Sequence, residues 1–399
     1  MGNLNSPVEK FYTLVNWIRD NGGFVSDSLC ISKDGGIVST SPIEKNERFL
    51  RVTERIMMGM NETYVNEKWD TRKISAGTIH VVILLAEKEK GDSFYNPYIN
   101  MLPPMETFDS HPIIQKMKTE TCDFLVTPIW NLCSEMLKTI RSEFSIVSSL
   151  NEESTILHNL TFELFLWGYM IYLTRAHPEY GFIPLVDLFD HSNDSQYLEN
   201  YSLSASKNIK TGDIIYSNYN ETNPWKMVSY RGFLSDKFSH NVCIPLEITD
   251  VSTSLKQYEL SITTSMNVLP HDVYFNEKGP SRSMMDILRV LNWKEYDVIL
   301  ASAGYFNPLT FDNEISTMKN MLKILYKYSK THKLSDKHGI SEKMENSKSL
   351  LVKYAATITM SEYNLMEKCY EKILTDWELQ ILPETMKPNV VNTSELYSC

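Results

Sequence analysis

Ile183-Pro184-Leu185-Val186-Asp187-Leu188-Phe189-Asp190-His191-Ser192-Asn193-Asp194 is the stretch on which the reading of this chain turns. An apolar run over residues 182–188 predicts a buried strand, and two acids and a histidine lie at its far end. Alone, such a stretch is open between a metal site, a general-base pair and a turn rich in Asp, Ser and Asn. Two neighbours frame it. Upstream, residues 162–174 are strongly apolar at helical spacing, and Arg175-Ala176-His177 follows. An arginine there is more often a dipole or capping partner of the helix than an anion clamp. Downstream, Gly212-Asp213-Ile214-Ile215-Tyr216-Ser217-Asn218-Tyr219-Asn220 places a tyrosine just after a short apolar strand. A tyrosine at such a strand end is ordinarily an interface aromatic with its hydroxyl in water.

The rest of the chain narrows the choice by exclusion. Its 399 residues exceed what one core needs, so two or three domains are expected. Thirty-nine Lys and Arg against fifty Asp and Glu give a net charge of −11, without the overall basic footprint of a nucleic-acid binder. Hydrophobic residues at 42% and charged residues at 22% are those of a folded globular protein. Only 15 residues are glycine, and no dinucleotide fingerprint, phosphate loop, nucleophile elbow or zinc-protease His-Glu pair is present. The six cysteines form no C-x-x-C pair, which argues for buried free thiols and against structural zinc. No apolar run reaches the roughly 18 residues of a membrane span, and no basic-then-apolar leader opens the chain. Met1-Gly2-Asn3-Leu4-Asn5-Ser6 fits the loose myristoylation pattern, but Pro7 follows and no basic cluster adds a second anchor. A cytosolic or nuclear protein without membrane attachment is expected.

Periodicity supplies the elements. Residues 8–20 put Phe11, Leu14, Val15 and Ile18 on one helical face and end at Asn21-Gly22-Gly23. Residues 29–32 and 36–39 flank Lys33-Asp34-Gly35 as a hairpin, and residues 48–53 read as a strand. Helical spacing recurs over 77–89 and through 109–158. Residues 203–208 and 214–216 add short strands. From about residue 246 the pattern becomes helical over 283–291, 314–328, 350–357 and 362–374. The polar stretch 329–347 reads as a solvated loop and 383–399 as a flexible tail. The fold class is therefore α+β, followed by a helical domain.

In this order and separation the three segments around residues 175, 190 and 219 resemble the SET-domain protein methyltransferases. They match the branch typified by the Rubisco large-subunit methyltransferase and the actin-histidine methyltransferase. Two further stretches carry the same resemblance: Gly35-Gly36-Ile37-Val38-Ser39-Thr40 with Ile43, and Ser93-Phe94-Tyr95-Asn96-Pro97-Tyr98-Ile99-Asn100-Met101-Leu102-Pro103. The resemblance spans about residues 25–245 and extends weakly through Ile287-Leu288-Arg289-Val290-Leu291-Asn292. It implies a SET catalytic region over 1–245, with small twisted sheets, a pseudoknot-like crossing and a helical insertion at about 106–158. An α-helical substrate-binding domain over 246–382 would follow.

The resemblance also implies an S-adenosyl-L-methionine-dependent protein-lysine N-methyltransferase. Its partner would be a protein substrate rather than nucleic acid or a membrane, and the chain would act as a monomer. Protein-histidine methylation and a non-catalytic SET-like scaffold are the alternatives. On that resemblance Tyr219 is the catalytic residue, and Gly35, Gly36, Ile37, Arg175, Asp187, Asp190 and His191 bind the cofactor. His177, Val186, Ser217 and Asn218 line the substrate side, and no metal is involved. His177 with Val186 leans towards lysine. The chain departs from the family at Asp34 and Asn220, where glycines are usual, and at Asp190, where asparagine is usual. Its loop over 223–232 is one residue longer.

Overall fold

The computed structural model describes residues 6–59, 64–119, 123–177, 180–196, 198–219, 221, 223–235, 238, 242–243, 274–276, 279–292, 311–331 and 337–376. The chain divides into two compact units, Met1–Phe238 and Ser239–Cys399.

The first unit opens with the helix Pro7–Asp20. Its start is fixed by a capping box in which the Ser6 side chain accepts from the Glu9 amide and Glu9 accepts from the Ser6 amide. Phe11, Leu14, Val15 and Ile18 are its buried face, as their spacing requires. Strands β1 (Phe24–Val25), β4 (Arg48–Arg51) and β6 (Ser202–Ser204) form one antiparallel sheet in the order β1-β4-β6. Strands β2 (Leu29–Ile31) and β3 (Ile37–Ser39) form the expected hairpin, Leu29 facing Ser39 and Ile31 facing Ile37. Strands β5 (Asp190–His191) and β7 (Tyr216–Ser217) run parallel, Asp190 beside Tyr216 and His191 beside Ser217. Residues 213–218 cross the unit between these pieces. They bond β3 through Ser39 N–H to Asp213 O and Ile215 N–H to Ile37 O. They then bond the Asp190 segment through Asn218 N–H to Gln196 O. That crossing brings Tyr219 beside His191.

Two helices, Ala76–Glu89 and Phe162–Arg175, pack as the apolar centre behind this crossing. Their close approach depends on small residues. A Cβ on Gly168 would lie 2.9 Å from Val81 Cγ1 and 3.2 Å from Leu85 Cδ2. Gly168→Val is therefore expected to destabilise the protein by about 1–3 kcal/mol through overpacking, read as a lowered midpoint in thermal or urea unfolding. An unchanged midpoint would show that the two helices can separate without loss. The insertion consists of the helices Pro112–Lys118 and Thr127–Glu153.

The second unit contains the helices Arg282–Leu291, Phe311–Thr331, Lys337–Asn346 and Leu350–Asp376. Phe275, Met284, Leu288, Met321, Met366 and Cys369 belong to its core. It also holds a three-stranded antiparallel sheet of Val242–Cys243, Tyr274–Asn276 and Gly279–Pro280, too short to leave a periodic signal.

Three local expectations change. Residues 182–188 are not a strand: Phe182 makes one bridge to Met58, and Val186–Leu188 is a 3-10 turn. The chain reverses at Leu185, whose φ is +74°. A buried leucine in that region is held by its surroundings against local sterics, so apolar content alone mimics a strand there. The 329–347 stretch contains the helix Lys337–Asn346 in place of a loop. The two helices expected over 350–357 and 362–374 are one. Thr359 stays in it by turning its hydroxyl back to the Ala355 carbonyl, at 2.7 Å. The expected tail, 383–399, lies outside the described residues. Among the described residues no helix is long and apolar enough to cross a membrane, and no cluster of His, Cys, Asp or Glu could hold a metal ion. Cys30, Cys133 and Cys369 are free thiols, the last two buried.

Candidate functional site

The site begins where the Phe162–Arg175 helix ends. Thr161 caps its start by accepting from the Leu164 amide, and Arg175 is its last residue, projecting from the negative end of the helix. Arg175 Nη1 donates to the Asp187 backbone carbonyl at 3.0 Å and lies 3.5 Å from Asp187 Oδ2. Tyr98, itself fully buried, donates its hydroxyl to the same Oδ2 at 2.9 Å. The Asp187 side chain is 1% exposed, and its Oδ1 has no hydrogen-bond partner. Burial pushes the Asp187 carboxyl above its ordinary range, against the opposing pull of the Arg175 guanidinium and the Tyr98 hydrogen bond. Burial likewise drives the Tyr98 hydroxyl well up.

Tyr219 is fixed at both ends. Its backbone N–H donates to His191 Nδ1 at 3.1 Å, and its hydroxyl donates to the Phe189 carbonyl at 2.6 Å. Since His191 Nδ1 accepts, the ring carries its proton on Nε2, where Asn193 Oδ1 accepts at 3.1 Å. Desolvation lowers the His191 pKa, which agrees with a neutral ring. Burial also pushes the Tyr219 hydroxyl up to about 12, with Arg231 opposing. The Arg231 guanidinium lies over the Tyr219 ring, 5.4 Å from its centre. Arg231 ends a π-helical turn, Met227–Arg231, that follows the short helix Pro224–Lys226 and stops at Gly232, with φ +87°. A π turn takes one residue more per hydrogen bond than an α turn.

Two cavities share these groups. One, of about 400 Å³, lies against the Asp34-Gly35-Gly36 turn, Phe108, His111, Phe189 and Asp190. The other, of about 240 Å³, is lined by His177, Tyr180, Val186, Leu203, Ser217 and Asn218 among others. Both are walled by Thr174, Arg175, Asp187, Tyr219 and Arg231. The larger cavity offers a guanidinium, Arg175, and a carboxylate, the exposed Asp190, whose pKa is raised because partial desolvation of the carboxyl outweighs the opposing pull of Arg175. Its glycine turn is held by Ser32, which accepts from the Gly35 amide with its carbonyl and from the Gly36 amide with its hydroxyl. Gly35 has φ +90°, and a Cβ on Gly36 would stand 3.2 Å from Asp190 Oδ2. Backbone lies bare along this wall because side chains are missing.

Comparison with known proteins follows the same division. No family model matches the chain. In sequence it is 24% identical over 376 residues to the actin-histidine N-methyltransferase of Rattus norvegicus, covering 82% of this chain and 62% of that one. To the enzyme of Homo sapiens it is 22% identical over 417 residues, covering 92% and 69%. The chain thus spans about two thirds of the length of these curated relatives, and less of the rat protein. In structure it matches the SET domain of an LSMT bound to lysine and AdoHcy, with a TM-score of 0.64, 15% identity, and 95% and 93% of the two chains covered. It matches a Rubisco LSMT bound to AdoMet with a TM-score of 0.62, 16% identity, and 94% and 93% covered.

The chain has the SET-domain fold. Within it, Tyr219, Arg175, His177, Val186, Ser217, Asn218, Gly35, Gly36 and Asp190 all line one or both cavities. Three expected cofactor residues have protein partners of their own in this structure. Ile37 is fully buried in β3, its carbonyl taken by Ile215. His191 lines neither cavity, and both its ring nitrogens are engaged in holding Tyr219 and Asn193. Asp187 reaches both cavities, but its carboxylate is turned to Arg175 and Tyr98, so it positions the arginine. Arg231, Tyr180, His111 and the Phe189 carbonyl were missed. No spacing rule marks them: a half-buried arginine delivered by a π turn looks, in sequence, like one more surface cation.

Proposed function

We propose that this SET-fold chain is an S-adenosylmethionine-dependent protein N-methyltransferase that acts on lysine. The observation that carries this reading is the wall of Arg175, Asp187 and Tyr219 shared by two cavities, one beside a bare glycine turn and one beside Val186 and His177. The larger cavity fits the amino-acid end of the cofactor: Arg175 suits its carboxylate and Asp190 its ammonium. Bound there, S-adenosylmethionine supplies an electrophilic methyl group. The chain does the rest by placement. A Tyr219 hydroxyl with a pKa of about 12 stays protonated at neutral pH, so it orients and polarises rather than removing a proton. The acceptor nitrogen therefore arrives neutral, and rate comes from alignment and fixed dipoles. The narrower cavity, with Val186 as a small wall, suits an unbranched lysine stem. Histidine as acceptor is the second reading, favoured by the names of the sequence relatives. In this proposal the helical second unit docks the protein substrate, and the protein works in the cytosol or nucleus.

Calorimetric titration with S-adenosylhomocysteine is the direct test. Wild type is expected to bind, and Gly36→Val to lose at least about tenfold in affinity, because its side chain would crowd Asp190 and fill the cradle. Absence of binding to wild type would leave only a docking scaffold with a SET fold. Transfer of labelled methyl to lysate proteins, with the modified residue located by mass spectrometry, distinguishes lysine from histidine.

A further inference from the structure

We propose that Arg231 is a specificity-determining residue whose fixed positive charge in the smaller cavity admits only an acceptor nitrogen that arrives without a proton. This rests on the methyltransferase reading above. Arg231 stands in the wall common to both cavities, with its guanidinium over the Tyr219 ring. Among the described residues, the charges lining the smaller cavity are Arg175, Arg231 and Asp187, and Asp187 turns its Oδ2 to Arg175 and Tyr98. Among the described residues lining that cavity, Asp187 is the one carboxylate, and it stands closest to Arg175; Glu221, outside the lining, attracts Arg231 from the side. Glu221, Tyr172 and Tyr219 all raise its pKa, yet burial outweighs them and lowers it. The titratable neighbours lining the cavity are His177, Tyr180 and Tyr219. Of these, the half-buried Tyr219 keeps its proton, its hydroxyl being pushed up to about 12 by desolvation, and His177 is stacked on Tyr180 at 4.7 Å.

A like charge beside a titrating group disfavours its charged form, most strongly where water is excluded. Lysine, with an ordinary pKa near 10.4, is neutral in only about one molecule in a thousand at pH 7.4, whereas imidazole, near 6.5, is mostly neutral. Arg231 therefore penalises lysine far more than histidine near neutral pH. The π turn that delivers it is a costly local geometry, of the kind found where a side chain must be aimed.

The test offers synthetic peptides with a single lysine or a single histidine in randomised flanks, together with deuterated S-adenosylmethionine, to wild type, Arg231→Met and Arg231→Lys. Circular dichroism and a cooperative thermal transition verify the fold of each protein. Removal of the charge in the methionine variant is expected to raise the lysine-to-histidine transfer ratio at pH 7 by at least about tenfold, whereas the lysine variant keeps the wild-type ratio. A methionine variant with the wild-type ratio would overturn the proposal. Should that variant fail to fold, Arg231→Gln serves in its place. In wild type alone, the pH profile of kcat on lysine peptides is expected to turn below about 10.4, and a turn at or above that value would overturn the proposal as well. Absence of transfer to either peptide set by every protein would instead overturn the methyltransferase reading itself.

Discussion

Tyr219→Phe is expected to slow methyl transfer by about 10²–10³-fold while S-adenosylhomocysteine still binds, the range typical of removing one preorganised polar group at a reacting centre. The hydroxyl it deletes is not free. It donates to the Phe189 carbonyl at 2.6 Å, while the backbone of the same residue is tied to His191. Loss of the hydroxyl therefore removes an aimed dipole and also leaves the Phe189 carbonyl without that donor. The phenylalanine ring can still stack on His191, 4.9 Å away, and beneath Arg231, so the fold around it should persist. The measurement is single-turnover transfer of labelled methyl, with cofactor affinity determined on the same preparations. Equal rates for variant and wild type would remove Tyr219 from the reaction and leave its hydroxyl a purely structural role.

Arg175→Met should have the largest effect on stability. It removes the guanidinium paired with Asp187, leaving a carboxylate whose side chain is 1% exposed and which, among the described residues, keeps the Tyr98 hydrogen bond. Breaking a buried pair from one side costs about 3–5 kcal/mol, which lowers the melting temperature by roughly 10 °C in a unit of this size. The sign of the pH dependence follows from Asp187. Its folded pKa is raised above the unfolded value of about 3.9, so between the two values the folded state holds more protons and stability falls as pH rises. Arg175 opposes that rise, so its removal widens the window upwards. The gap in melting temperature between variant and wild type should shrink at pH 5 relative to pH 8. A gap that stays constant would show that the cost does not come from the Asp187 charge. Adding Asp187→Asn to Arg175→Met removes the charge and should recover much of the stability without restoring S-adenosylhomocysteine affinity. That combination separates the structural role of Arg175 from its role in the cavity.

Some elements were legible because local rules and tertiary packing agree there. The capped amphipathic helix after Ser6, the hairpin around Gly35 and the apolar helix leading to Arg175 all follow from spacing and turn chemistry. The stretch from Phe182 to Leu188 was misread because its hydrophobicity reports burial, and burial serves a reversal at Leu185 as well as a strand. The single helix Leu350–Asp376 was read as two for a related reason: threonines that interrupt an apolar period can satisfy their hydroxyls within the helix.

At the site the division is sharper. The sequence alone pointed to the segments that meet at the two cavities, since Arg175, Asp190 and Tyr219 belong to a set of five segments whose common register is specific. It also determined that a glycine-poor chain must build its cofactor pocket from side chains and one turn. Only the tertiary structure decided what each group does. Asp187 became the anchor of Arg175 because Tyr98, 89 residues earlier, donates to it in a buried space. His191 became the clamp of Tyr219 because parallel pairing of β5 with β7 carries the Tyr219 backbone, 28 residues later, onto its ring. Arg231 entered the site because a π turn aims it over that tyrosine. Such roles arise from burial and from pairs far apart in the chain, and the free energy of a charge depends on how much water remains around it, a quantity fixed only when the chain has closed on itself.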